Sequence, residues 1–140
     1  MRVARGAVGL LVAAFDMITV RELDVIRQLR DRHRRVRIAI LDDESVATLY
    51  GRPPMTPLGE RVLLAQHLRG VDEVVVHDPA RPEPAGDPPV RYVIAGEPSP
   101  LPAGFDVLTP TLVTAATSVN VATGAVGVDA GSTGVGEAVA

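Results

Sequence analysis

The chain has 140 residues, 46% of them hydrophobic, with no cysteine, no lysine and a formal charge of −3. It has room for one domain around a single core; a disulfide scaffold is excluded, and the acidic balance argues against a general nucleic-acid-binding role. No uninterrupted run of the roughly 18 apolar residues that a membrane span needs is present.

Ala7 to Ala14 is an apolar run with the pattern of a central parallel strand covered on both faces. It follows Arg2 and Arg5, as a signal peptide would. Asp16 interrupts it early, however, and no small-residue cleavage site precedes a plausible mature start, so the expectation is a buried strand in a cytoplasmic protein. A helix should follow, with Leu23, Val25, Ile26 and Leu29 on its apolar stripe and Asp24, Arg27, Gln28 and Arg30 facing water. Thr19-Val20-Arg21-Glu22 at its start has the spacing of a capping box, in which the threonine caps the helix and the glutamate reaches back to the threonine amide. At its end, Arg27, Arg30, Arg32, His33, Arg34, Arg35 and Arg37 form a basic cluster. Cations there complement the helix dipole; an anion or acidic partner is the other reading.

Val36 to Leu41 reads as a second strand, ending in Asp42-Asp43-Glu44. Ser45 to Met55 lacks periodicity and contains Gly51, Pro53 and Pro54, so it is expected to be mostly loop. Thr56 is placed as an N-cap with Pro57 in the first helical position. That helix should run to about Arg69, bury Leu58, Val62, Leu63 and Leu68, and stop at Gly70. Val71 to His77 is a third strand. Residues 78–89 hold five prolines in twelve positions, which makes them a surface linker. Val90 to Ala95 and Phe105 to Thr109 are two further short strands, and Ala122 to Ala140 is expected to form a disordered tail. This order is that of an α/β domain spanning residues 1–121 with a mostly parallel sheet. Ligands of such sheets bind beyond the carboxyl ends of the strands, where the strand order reverses. Phe15 to Glu22 would lie there.

The phrase Ala14-Phe15-Asp16-Met17-Ile18-Thr19-Val20-Arg21-Glu22 resembles the opening signature of the cytidylyltransferase-like nucleotidyltransferases, of the glycerol-3-phosphate cytidylyltransferase type, read as G-T-F-D-hydrophobic-hydrophobic-H-x-G-H. Thr19 and Glu22 occupy the histidine places and Arg21 that of the glycine. Asp42-Asp43-Glu44, Pro57-Leu58-Gly59-Glu60-Arg61 and Leu68-Arg69-Gly70-Val71-Asp72-Glu73-Val74-Val75 resemble three further family phrases, in the family's order. The resemblance covers about Val8 to Asp78. It implies a Rossmann-like, doubly wound, five-stranded sheet in three α/β/α layers, a homodimer, and a site for CTP or ATP.

In that family the α-phosphate of the triphosphate is attacked by a phosphorylated alcohol and pyrophosphate leaves, with the two histidines and a lysine stabilising the developing charge. By resemblance, Phe15, Asp16, Arg52, Arg61, Thr109 and Thr114 would contact the nucleotide. Arg52 would stand in for a lysine, and the alternative for Arg61 is an ion pair with Asp72 or Glu73. Mg²⁺ would accompany the nucleotide if the site works; no protein metal site is expected. Thr19, Arg21 and Glu22 are the degenerate catalytic positions. Losing one charge-stabilising donor costs about 10²–10³ in rate. A carboxylate about 4 Å from a phosphate oxygen is repelled by on the order of 4 kcal/mol per unit charge at an effective dielectric of 20. The sequence therefore points to a catalytically impaired nucleotide-binding or protein-interaction module, with an active enzyme using Arg21, Arg52 and Arg61 as the alternative. His33, His67 and His77 lie on different elements without metal-ligand spacing, Ser45, Ser99 and Ser118 lack a nucleophile-elbow context, and no phosphate-binding glycine loop is present.

Overall fold

The structure, a computed structural model, describes residues 6–81 and 85–111. The chain divides after Pro110, and apart from Thr111 the second unit lies outside the described residues. The tail expected at 122–140 and the candidate Thr114 fall there as well.

Five strands, β1 (Val8–Ala13), β2 (Arg35–Ile40), β3 (Glu73–Val76), β4 (Val90–Ile94) and β5 (Asp106–Leu108), form one sheet in the order β3-β2-β1-β4-β5. All four pairings are parallel. The order reverses between β1 and β4, so the cleft for a ligand opens at their carboxyl ends.

Helices α1 (Val20–Arg32) and α3 (Leu58–Gln66) cover one face, where Val25, Ile26, Leu29 and Ala65 pack on Leu11, Ile38, Ile40 and Tyr92. The short α2 (Asp43–Tyr50) covers part of the other through Val46, Leu49 and Tyr50 against Leu10, Val12 and Ala39. Two-sided burial explains why β1 reads as a continuous apolar run rather than an alternating one.

Several local expectations are corrected. Asp43–Tyr50 is helical where a loop was expected. Asp42 caps it by accepting from the Ser45 amide, and Gly51 ends it with φ at +76°, a conformation that costs glycine little. The N-cap of α3 is Pro57 rather than Thr56, and the helix stops at Gln66, short of Arg69. Leu23 and Leu63 are exposed, whereas Asp24 is buried, accepting from Arg27 and Gln28. Of the basic cluster, Arg27 pairs with Asp24, Arg30 with Asp72 and Arg37 with Glu73. His33 leaves the cluster altogether and enters the core.

At the amino end of the sheet, His33 Nδ1 lies 2.8 Å from the Gly6 carbonyl and Nε2 2.6 Å from the Tyr92 hydroxyl. A carbonyl only accepts, so Nδ1 donates; in the neutral ring Nε2 then accepts from Tyr92. Gly9 leaves space for this ring, since a Cβ there would meet His33 Cδ2 at 2.5 Å. A Gly9→Ala substitution should therefore cost about 1–3 kcal/mol by overpacking, read as a lower urea midpoint at unchanged slope. Unchanged stability would show that His33 is free to move aside.

Candidate functional site

A cleft of about 490 Å³ opens beyond the carboxyl ends of β1 and β4. Its floor is Ala13 to Asp16, one wall is the start of α1, another is α2 with the loop after it, and the third is the turn at Gly96 to Pro98. Phe15, at the strand-to-helix turn, is buried and adopts φ of +53°. A bulky residue in the left-handed region carries on the order of 1–3 kcal/mol of strain, so its surroundings must hold it there.

They do so on both sides. Before Phe15, the Ala14 carbonyl accepts from Arg61 Nη1 at 2.6 Å. After it, the Asp16 carboxylate accepts from the amides of Met55 and Thr56, each at 2.9 Å, and from Arg52 at 3.5 Å. Burial raises the Asp16 pKa, but these hydrogen bonds and the Arg52 charge outweigh it and hold the carboxyl below its ordinary value.

Arg61 donates in every direction. Its Nη1 also reaches the Leu41 carbonyl at 2.7 Å, Nε the Thr56 carbonyl at 2.8 Å and Nη2 the Asp43 carboxylate at 2.6 Å. It is fully buried and does not line the cleft. The ion-pair partner suggested by sequence is corrected with it: Asp72 serves Arg30, Glu73 serves Arg37, and Arg61 takes Asp43, which α2 brings within reach.

The capping box forms as its spacing predicts. Glu22 Oε1 accepts from both the amide and the hydroxyl of Thr19 at 2.7 Å, while Thr19 Oγ1 accepts from the Arg21 amide at 3.2 Å. The amino terminus of α1 is the place where helix amides and dipole would receive a phosphate. Here a buried carboxylate already sits there. Arg21 extends across the cleft to the Ala95 carbonyl at 3.3 Å and lies over Gly96.

Two cleft residues had no sequence cue of their own. Tyr50, on α2, donates to Glu97 at 2.9 Å and lies under the Arg52 guanidinium, whose carbon is 5.8 Å from the ring centre. Burial first, and the Glu97 hydrogen bond second, push the Tyr50 phenol well above its usual pKa. Arg52 lines the cleft, as do Phe15, Asp16, Thr19, Arg21 and Glu22. Thr109 is exposed outside the lining, its carbonyl accepting from Gln28. Among the described residues no three His, Cys, Asp or Glu side chains converge as a metal site, and none of their helices is long and apolar enough to cross a membrane.

Residues 10–126 match the cytidylyltransferase-like family. The chain belongs to that family. Among curated members it is 34% identical over 93 residues to the bifunctional protein HldE of Halorhodospira halophila, covering 66% of this chain and 18% of that protein. It is 28% identical over 65 residues to the FAD synthase of Pyrococcus abyssi, covering 46% and 44% respectively. The chain thus matches less than half the length of either relative. A lipopolysaccharide core biosynthesis protein from Thermoplasma volcanium shares the fold, with a TM-score of 0.56 at 13% identity over 76% of this chain and 98% of that one. Membership accounts for the order of the motif phrases, and the geometry shows Thr19 and Glu22 joined as a helix cap at the edge of the cleft.

Two outcomes follow from the buried contacts. Arg61→Met leaves three carbonyls without their donor and a half-exposed Asp43 without its partner. It should destabilise the fold by about 3 kcal/mol or more, at about 1–3 kcal/mol for each buried group left unsatisfied, measured by chemical denaturation; a loss below about 1 kcal/mol would contradict the assignment. Asp42, like Asp16, is held below the ordinary aspartate value of 3.8, by the hydroxyl and then the amide of Ser45. Both pKa values being depressed on folding, the stability they add is complete above the unfolded value and is lost as pH falls through the folded ones. The melting temperature should begin to drop below about pH 4, and less steeply in Asp16→Asn.

Proposed function

We propose that this chain is a nucleotide-binding member of the cytidylyltransferase-like family that has given up efficient nucleotidyl transfer. One observation carries the reading. The two positions that the family signature gives to histidine hold Thr19 and Glu22, whose hydroxyl and carboxylate bond to each other at 2.7 Å at the edge of the cleft, so neither offers a free donor to a phosphate. The sequence has no lysine to replace them. Each missing donor is worth about 10²–10³ in rate, and although such losses do not simply multiply, what remains is slow.

Binding is a less demanding task, and the cleft retains the means for it. It has the volume usual for small-molecule sites, lies at the switch point, and carries Arg21 and Arg52 on facing elements. Membership supports a nucleoside phosphate as the ligand class, in keeping with a relative named as an FAD synthase. Mg²⁺ belongs to the reading only as the counter-ion a triphosphate brings. The homodimer implied by the resemblance and the cytoplasmic location expected from the sequence are part of the same proposal.

The second reading is an active enzyme transferring CMP or AMP to a small phosphorylated alcohol such as glycerol 3-phosphate. It draws on the loose tethering of Arg21 and Arg52, held by bonds of 3.3–3.5 Å, which leaves both guanidiniums available to a phosphate.

Pyrophosphate release separates the two. Wild-type protein with CTP or ATP, Mg²⁺ and glycerol 3-phosphate should release no more than a protein-free blank. The combined Thr19→His, Arg21→Gly, Glu22→His variant should gain measurable release. Sustained turnover by the wild type would establish the second reading.

A further inference from the structure

The charges around the cleft limit which nucleoside phosphate it holds, an argument that rests on the nucleotide-binding reading. Asp16, Glu22 and Glu97 contribute three carboxylates, Arg21 and Arg52 two guanidiniums, and no histidine is among the lining residues. The formal balance is one negative charge before any ligand enters.

The two signs also differ in how firmly they are placed. Asp16 is fixed by two backbone amides, Glu22 by the Thr19 amide and hydroxyl, and Glu97 by the Tyr50 hydroxyl, all at 2.7–2.9 Å. Among the described residues, Arg21 is tethered through one carbonyl at 3.3 Å, and Arg52 through contacts of 3.4 and 3.5 Å and its place over the Tyr50 ring. The anions are therefore built in and the cations are movable.

We infer that the cleft selects nucleoside monophosphates over nucleoside triphosphates. A phosphomonoester carries about −1.5 to −2 charge near neutral pH, which two guanidiniums match through charge-assisted hydrogen bonds. Each further phosphate of a triphosphate brings charge for which the described lining of the cleft has no third cation. The extra phosphates would also need the amino terminus of α1, and the Glu22 carboxylate holds that place. The cleft is thus fitted to the size and charge of a nucleotide that has already lost pyrophosphate.

Calorimetric titration of the full chain with CMP, AMP, CTP and ATP, the triphosphates with and without Mg²⁺ and at one fixed low salt concentration, tests this. Monophosphates should bind tighter by about tenfold or more. Glu22→Gln and Glu97→Gln each keep an oxygen acceptor for Thr19 or Tyr50 while removing a charge, so each should narrow the gap by improving triphosphate binding. Arg52→Gln should weaken the monophosphates. Triphosphates binding as tightly as monophosphates would overturn the selection and leave the nucleotide reading standing. A gap unchanged in both glutamine variants would overturn its electrostatic origin. No binding by any of the four would remove the nucleotide reading, and this inference with it.

Discussion

A buried guanidinium holds this site together. Arg61 joins the carboxyl ends of β1 and β2 through the Ala14 and Leu41 carbonyls, the loop before α3 through Thr56, and the first turn of α2 through Asp43. Five donors in a planar fork make this possible; a lysine has neither the geometry nor the number. A buried charge without partners is very costly, so the four acceptors must stay where they are for the fold to hold. Because one of them is the carbonyl just before Phe15, the same bonds set the strained turn from which Asp16 and α1 depart. Cleft shape and core stability are therefore one problem here.

Beyond that turn, the chemistry is decided by competition for the amino terminus of α1. A helix start offers unpaired amides and a positive dipole end, and either an external anion or an internal cap can use them. In this chain the internal cap wins: Glu22 is buried and takes two bonds from Thr19. The helix gains the stability of a capping box, about 0.5–2 kcal/mol for such caps. The cleft gains a fixed negative charge where, on the proposed reading, a phosphate would otherwise meet the helix amides. Arg21 does not reverse this, because its guanidinium reaches away to the Ala95 carbonyl on the opposite wall.

What the sequence revealed depended on range. The capping box was legible because its members lie three residues apart, and β1 because apolar runs of its length are buried on both faces. Motif order led to the family because Asp16 and the phrases after β2 and before β3 keep their places in chain order. The part played by Arg61 was not legible, since two of its partners are 47 and 20 residues away. Helix α2 had local signals, with Asp42 before an acidic first turn, Val46, Leu49 and Tyr50 at helical spacing, and Gly51 behind them. The prolines at 53 and 54 masked those signals, and with the helix went Tyr50 and its bond to Glu97. Thr109 is a different case: β5 ends one residue earlier, at Leu108, and the Thr109 carbonyl accepts from Gln28 outside the lining of the cleft.

The central claim, that Glu22 occupies the phosphate seat of α1, is tested most directly by the amide of Thr19. Its proton and nitrogen resonances, and its hydrogen-exchange protection, can be followed while CTP and Mg²⁺ are added to labelled protein. An intact cap predicts that the Thr19 amide keeps its shift and its protection even as resonances of the Arg21 and Arg52 side chains move. A large Thr19 shift with loss of protection, saturating with the nucleotide, would mean that phosphate displaces the carboxylate, and would contradict the account.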